Sequence, residues 1–270
     1  MRILLDSGIF MHSEFAVGSV KPTTVRWGNT ETVSHVQGLT RKAPDKNAAY
    51  QAQIDALFAV GRLIREKQIE AYEYTEIQWE KMRGRPGYTT FNALRECTIH
   101  RCCPAVERTS FRTTADLTDF FAKGGKKDND AGIALGMANQ LAFFKWLCTL
   151  TKEQVEVIVS SKELCLTEFE VGSLKNIEWF QFLCERSASP ENYPDVFHLW
   201  TAERNGFDAV LTLDNTFWEL VSRVKNEKVR KIEIKTEVLQ PLDLLQKLGI
   251  GQPDPVPIDT DRFYHLPEVE

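Results

Sequence analysis

Met1-Arg2-Ile3-Leu4-Leu5-Asp6-Ser7-Gly8 opens the chain with an apolar run that stops on a carboxylate. Phe207-Asp208-Ala209-Val210-Leu211-Thr212-Leu213-Asp214-Asn215 repeats the pattern far along the chain: an apolar run, then Thr212 and a terminal Asp214. Short apolar runs bounded by turn-forming residues read as strands covered on both faces, as in a parallel sheet. In an open α/β sheet, ligands sit beyond the carboxyl ends of the strands. Two carboxylates delivered there by separate strands repel each other unless one is protonated or a cation lies between them. The two stretches therefore predict an α/β sheet with a divalent-cation site at its carboxyl edge.

Between them, strand patterns alternate with helix patterns. Ile69 to Tyr74 reads as the second strand, and Thr75 as the cap of a helix that carries Glu76, Ile77, Trp79 and Glu80 to Gly84. The third strand is expected at Val155 to Ser160 or Leu164 to Glu168, the fourth at 209–213 and the fifth at Arg230 to Lys235. Helical spacing marks Lys46 to Lys67, Ala115 to Lys123, 131–149, 172–186, Pro194-Asp195 to Arg204, Thr216 to Lys225 and Pro241 to Leu248. This order implies a three-layer α/β/α fold around a central, mainly parallel sheet of about five strands. Val20 to Val36 alternates around Trp27-Gly28-Asn29-Thr30, which reads as a hairpin near 20–36 with a Gly-Asn turn. Residues 11–45 and 85–150, the latter a helical insert, read as insertions in a single domain over 1–250, with 251–270 a Pro-rich tail.

With 43% hydrophobic and 26% charged residues over 270 positions, the composition is that of an ordinary globule. A net charge of −5 removes any global electrostatic case for nucleic acid, so such binding requires a local basic patch. The chain starts on a strand, with no charged-then-apolar leader. Its most apolar stretch, Ala131 to Leu150, carries Asn139, Gln140 and Lys145 and reads as a buried helix, not a membrane span. The expected compartment is the cytoplasm, with the six cysteines reduced.

Four stretches, in order, resemble the PIN-domain nucleases. They are the strand ending in Asp6, the helix with Glu80-Lys81-Met82-Arg83-Gly84, the helix Asp195-Val196-Phe197-His198-Leu199-Trp200-Thr201-Ala202, and the strand ending Thr212-Leu213-Asp214. The closing strand, Pro241 and short helix are also similar. The likeness covers residues 1–10, 69–84 and 190–248, and the middle of the chain departs from the compact family pattern. The resemblance implies a metal-dependent endoribonuclease that leaves a 5′-phosphate and a 3′-hydroxyl. It implies Asp6, Glu80, Asp195 and Asp214 as the catalytic carboxylates holding Mg²⁺ or Mn²⁺. Such ions take oxygen ligands, keep several waters, activate a nucleophile and stabilise phosphate charge.

Ser7 and Thr212 are placed to orient the aspartates, and Glu76 and His198 stand one turn from Glu80 and Asp195. Structural roles compete at each position. Asp6 and Asp214 suit strand-end turns, Asp195 a helix N-cap, Glu80 a solvent-facing acid with Glu76 its rival, and His198 plain packing. Substrate contacts are expected from Arg26 and Trp27 on the hairpin and from Arg83 and Arg85 after the Glu80 helix. Lys21, His35, Arg41, Lys42, Arg95, Arg101, Arg108 and Arg112 widen the two basic strips. Cys97-x-x-His100-x-Cys102-Cys103 lacks a second Cys-x-x-Cys and reads as free thiols in preference to zinc. The expected partner is RNA, with DNA the alternative polymer and an antitoxin or other protein as a further partner. A degenerate module that binds RNA or protein without cutting is the competing reading, marked by a Glu80 turned away from Asp6.

Overall fold

The computed structural model describes residues 1–84, 87, 89–111, 129–226 and 232–265. Five strands form one all-parallel sheet: β1 (Arg2–Leu5), β4 (Glu70–Glu73), β5 (Ile99–Arg101), β6 (Ala209–Leu211) and β7 (Glu237–Leu239). Their order is β5-β4-β1-β6-β7. β2 (Ala16–Trp27), β3 (Thr30–Arg41) and β8 (Tyr264–His265) form a separate antiparallel sheet.

The helices are α1 (Ser7–His12), α2 (Ala48–Asp55), α3 (Leu57–Arg65), α4 (Thr75–Gly84), α5 (Asn129–Thr149), α6 (Lys152–Ser160), α7 (Glu168–Leu174), α8 (Ile177–Arg186), α9 (Tyr193–Arg204), α10 (Asn215–Lys225) and α11 (Pro241–Lys247). They flank the central sheet as three α/β/α layers, as expected. α11 packs on α2 and α3, and α9 packs on α5 and α8. Ile3, Leu4 and Leu5 are fully buried, because a central parallel strand is covered on both faces. Phe197 and Trp200 on α9 meet Phe144 of α5 and Phe180 of α8 at ring distances of 4.7 and 5.1 Å.

The chain leaves β1 toward β4 on one side and returns to β6 on the other. The order of strands therefore reverses between β1 and β6, and a crevice opens there at the carboxyl edge. Asp6 follows β1 and Thr212 follows β6, so both stand at that reversal.

Several expected elements fall elsewhere. Val155 to Ser160 is helical, not the third strand, because Thr151 builds a reciprocal capping box with Gln154. Val155 then faces inward while Val157 stays exposed, and Leu164 to Thr167 are not strand residues. The third strand in sequence is β5, an edge strand whose Ile-His-Arg composition hides it. The last parallel strand is β7 rather than Arg230 to Lys235, of which Arg230 and Lys231 lie outside the described residues. The 46–67 helix divides at Ala56 into α2 and α3, and the 172–186 helix divides into α7 and α8. Thr75 is inside α4 and its hydroxyl bonds Glu107 Oε2 at 3.2 Å instead of capping. The helix expected at Ala115 to Lys123 lies outside the described residues.

The hairpin is longer than its alternating core suggested, pairing 16–27 with 30–41 through Gly28 at φ 62°. β8 pairs with its root at Gly38 and Leu39, and Ile258 of the Pro-rich segment is buried. Twelve residues per strand carry the tip roughly 40 Å from that root. Among the described residues, no helix is long and apolar enough to cross a membrane.

Gly61 lets α3 approach the Ala93 backbone, where an added Cβ would lie 1.9 Å from the carbonyl oxygen. Arg65 Nη1 donates to the Ala93 and Arg95 carbonyls at 3.0 Å each across the same contact. Gly61→Ala is expected to destabilise the fold by about 1–3 kcal/mol through overpacking, read as a lower urea midpoint. An unchanged midpoint would contradict this contact.

Candidate metal centre

Asp6 donates its backbone N–H to Leu211 O at 3.0 Å, so the end of β1 is tied to β6. The residue precedes α1, yet its carboxylate makes no capping bond to that helix. Instead Oδ2 accepts from Thr212 Oγ1 at 2.7 Å and Oδ1 accepts from Ser7 Oγ at 3.3 Å. Thr212 Oγ1 also accepts the Asp214 N–H at 2.9 Å, so one hydroxyl links the two strand ends. Ser7 and Thr212 thus both donate to the Asp6 carboxylate.

Glu80 reaches the same place from α4. Gln140 Nε2, buried on α5, donates to Glu80 Oε1 and to Glu76 Oε2, at 3.0 Å each. His198, on α9 and only 1% exposed, puts Nε2 at 3.4 Å from Glu80 Oε2. Its Nδ1 lies 2.6 Å from the hydroxyl of buried Tyr74, at the end of β4. One ligand atom from each of Asp6, Glu80 and His198 lies within 4.8 Å of the others, a spacing that fits a shared metal ion.

The electrostatics carry the strain of this gathering. Burial raises the Asp6 pKa above the usual carboxylate range, and the Glu80 charge adds to that rise. Asp195, half-buried in the first turn of α9, is raised well above it by burial and by the charges of Asp6, Asp214 and Glu80. Burial alone would raise Glu80 as well, but the His198 charge and its hydrogen bonds hold it at about 2. Burial alone would lower His198, yet Glu80, Asp6 and Asp195 hold it at about 9. Without an added cation, the imidazolium is the internal counter-charge.

The predicted acids therefore separate into different roles. Asp6 and Glu80 meet, and Asp195 lies within electrostatic reach of both. Asp195 sits inside α9 and is not its N-cap. Asp214 is exposed and caps α10, accepting from Thr216 N and Phe217 N at 2.6 and 3.1 Å. It remains close enough to raise Asp195, but, like Asp195, it is outside the group formed by Asp6, Glu80 and His198. Glu76, the rival of Glu80, is buried in a two-pronged pair with Arg108 at 2.7 and 3.0 Å. Arg108 is thus withdrawn from the basic strip expected to meet substrate.

Arg26 and Trp27 stand at the hairpin tip, Trp27 84% exposed, a ribbon's length from the root. The Arg83 side chain, Arg85 and Arg112 lie outside the described residues. The cysteine stretch does not close on itself: Cys97 Sγ donates to Gly61 O at 3.3 Å, and the His100 ring lies against Tyr72. Burial pushes the Cys102 thiol up to about 12. Sequence reasoning left His198 outside the ligand set and missed Tyr74 and Gln140. The only signal for His198 was its place one turn after Asp195, and Gln140 had none beyond being polar in an apolar helix. No family model, curated protein or solved structure matches the chain.

Two outcomes follow from these charges. Arg108→Met is expected to destabilise by about 3–5 kcal/mol, because it strands Glu76 as an uncompensated buried charge. A loss below roughly 1 kcal/mol in chemical denaturation would contradict that. The second concerns pH in the metal-free protein. Glu80 contributes stability above its ordinary 4.5, lost as pH falls through about 2. His198 contributes fully below 6.5, and this is lost as pH rises through about 9. Asp6 and Asp195, also raised, push in the same direction as His198. Tm is therefore expected to fall from pH 6.5 to 9, and to fall less in His198→Gln. A Tm that rises across that window contradicts the assignment.

Proposed function

We propose that the chain is a metal-dependent phosphodiester hydrolase of the PIN-like class, cutting single-stranded or structured RNA. The observation that carries this reading is the meeting of Asp6 and Glu80 at the reversal between β1 and β6, with Asp195 alongside. A module that had lost catalysis would be expected to turn Glu80 away from Asp6, and here the two lie within one ion's reach.

The donor set suits a divalent cation. Like-charged carboxylates crowd one pocket, and burial, with the charges of neighbouring acids, raises two of them even with His198 beside them. Asp6, Glu80 and Asp195 would hold it, Mg²⁺ or Mn²⁺ on the oxygen ligands alone. When bound, the ion supplies charge stabilisation at the phosphate and an activated water. Ser7 and Thr212 keep Asp6 in place, and Gln140 keeps Glu80 turned inward. These bonds fix the ligands before any ion arrives.

Substrate contact has a nearer candidate than the hairpin tip. A cleft of about 490 Å³ is lined by His12, Arg41, Lys42 and Lys46 together with Glu14 and Asp45. Tyr50 bonds His12 at 3.2 Å and feels the charges of Asp45, Asp214 and Asp6, which links this cleft to the acids. Lys42 and Lys46 beside an acidic centre suit a phosphate backbone drawn across it. The hairpin tip with Arg26 and Trp27 suits a more distant contact, with nucleic acid or with a protein partner such as an antitoxin.

Purified protein with Mn²⁺ is expected to cut single-stranded RNA. Asp6→Asn and Glu80→Gln should lower kcat by about 100-fold or more. Lys42→Glu with Lys46→Glu should raise KM by about tenfold and leave kcat within about twofold. Equal cutting by wild type and Asp6→Asn would place the activity in another site.

A further inference from the structure

We propose that His198 is itself a metal ligand through Nε2, so that the centre selects Mn²⁺ or another first-row transition ion over Mg²⁺. This rests on the metal-centre reading above and adds a ligand and an ion class to it.

Three observations support it. First, His198 Nε2 is buried, and its ion-pair contact with Glu80 Oε2 at 3.4 Å falls short of hydrogen-bond geometry. A buried polar atom whose one contact is this loose is uncommon and costly, and so leaves room for a closer partner. Second, that atom faces Asp6 and Glu80 within the 4.8 Å group. Its 3.4 Å separation from Glu80 Oε2 is long for a charge-assisted hydrogen bond, which closes to about 2.7–2.9 Å.

Third, the far side of the ring is already supported. Nδ1 lies 2.6 Å from Tyr74 Oη. Tyr74 is hydrogen-bonded in turn to Thr201, whose Oγ1 accepts the Ala105 N–H at 3.1 Å. With the ring proton on Nδ1 and donated to Tyr74, the Nε2 lone pair points into the pocket. This is the outer partner that a metal-bound imidazole commonly has.

One nitrogen among carboxylate oxygens changes which ion fits. Mg²⁺ prefers an all-oxygen octahedron and gives up its waters reluctantly. Imidazole favours later divalent ions, and Mn²⁺ tolerates both donor types. Asp6, Glu80 and Asp195 would supply the oxygens and His198 the nitrogen.

The test uses the full chain with MnCl₂ or MgCl₂ and no substrate. Pulsed electron paramagnetic resonance of the Mn²⁺ protein is expected to show coupling to one imidazole nitrogen. Calorimetric titration should find that His198→Gln weakens Mn²⁺ binding by about 10–100-fold, with Mg²⁺ binding altered by less than about threefold. Mn²⁺ bound without nitrogen coupling, or bound equally by wild type and His198→Gln, overturns the inference and leaves the carboxylate centre standing. Failure of the wild type to bind either ion overturns both readings. The resonance experiment needs only the wild-type protein, so misfolding of the variant does not obscure the result.

Discussion

Asp6, Glu80 and Asp195 bring like charge into one partly buried space, and the surrounding structure is arranged around relieving that repulsion. Like charges a few ångströms apart in a medium less polar than water keep their protons or find a counter-charge. Here both happen. Asp6 and Asp195 are raised, and the buried His198 is held as a cation by the acids around it. The pocket is thus poised between two charge balances, one with an internal imidazolium and one with a bound metal ion.

That poise requires rigid support, and much of it comes from outside the central sheet. Gln140 belongs to α5 and bridges Glu80 to Glu76. Glu76 in turn holds Arg108, from the segment after β5, in a buried pair that anchors it against α4. Breaking such a pair is expensive because it leaves a charge stranded. Gln140 and Arg108 therefore help fix the orientation of Glu80. Close packing at Gly61 does similar work for the segment between α4 and β5, bringing Ala93 and Cys97 against α3.

The parts legible in sequence were those governed by local rules. The apolar runs before Asp6 and Asp214 mark central strands because such strands are buried on both faces. The Gly-Asn turn marks the hairpin, and the alternation of elements marks the three layers. The edges of the sheet were not legible: β5 and β7 are three residues each and owe their pairing to the strands beside them. Val155 to Ser160 misled because β-branched composition yielded to a capping box. Within the site, Asp6 and Glu80 were visible as strand-end and helix-face acids. Asp214 was visible too, yet its oxygen is engaged by the start of α10. The inward turn of His198 depends on Tyr74, distant in sequence, and no spacing rule reports such a contact.

The most direct measurement is an anomalous-difference map from crystals soaked in Mn²⁺. The account requires a peak bounded by Asp6, Glu80 and Asp195, with the contact between Glu80 and His198 opened or bridged by the ion. A fully loaded soak with no peak there, and with those oxygens facing separate solvent, would contradict it.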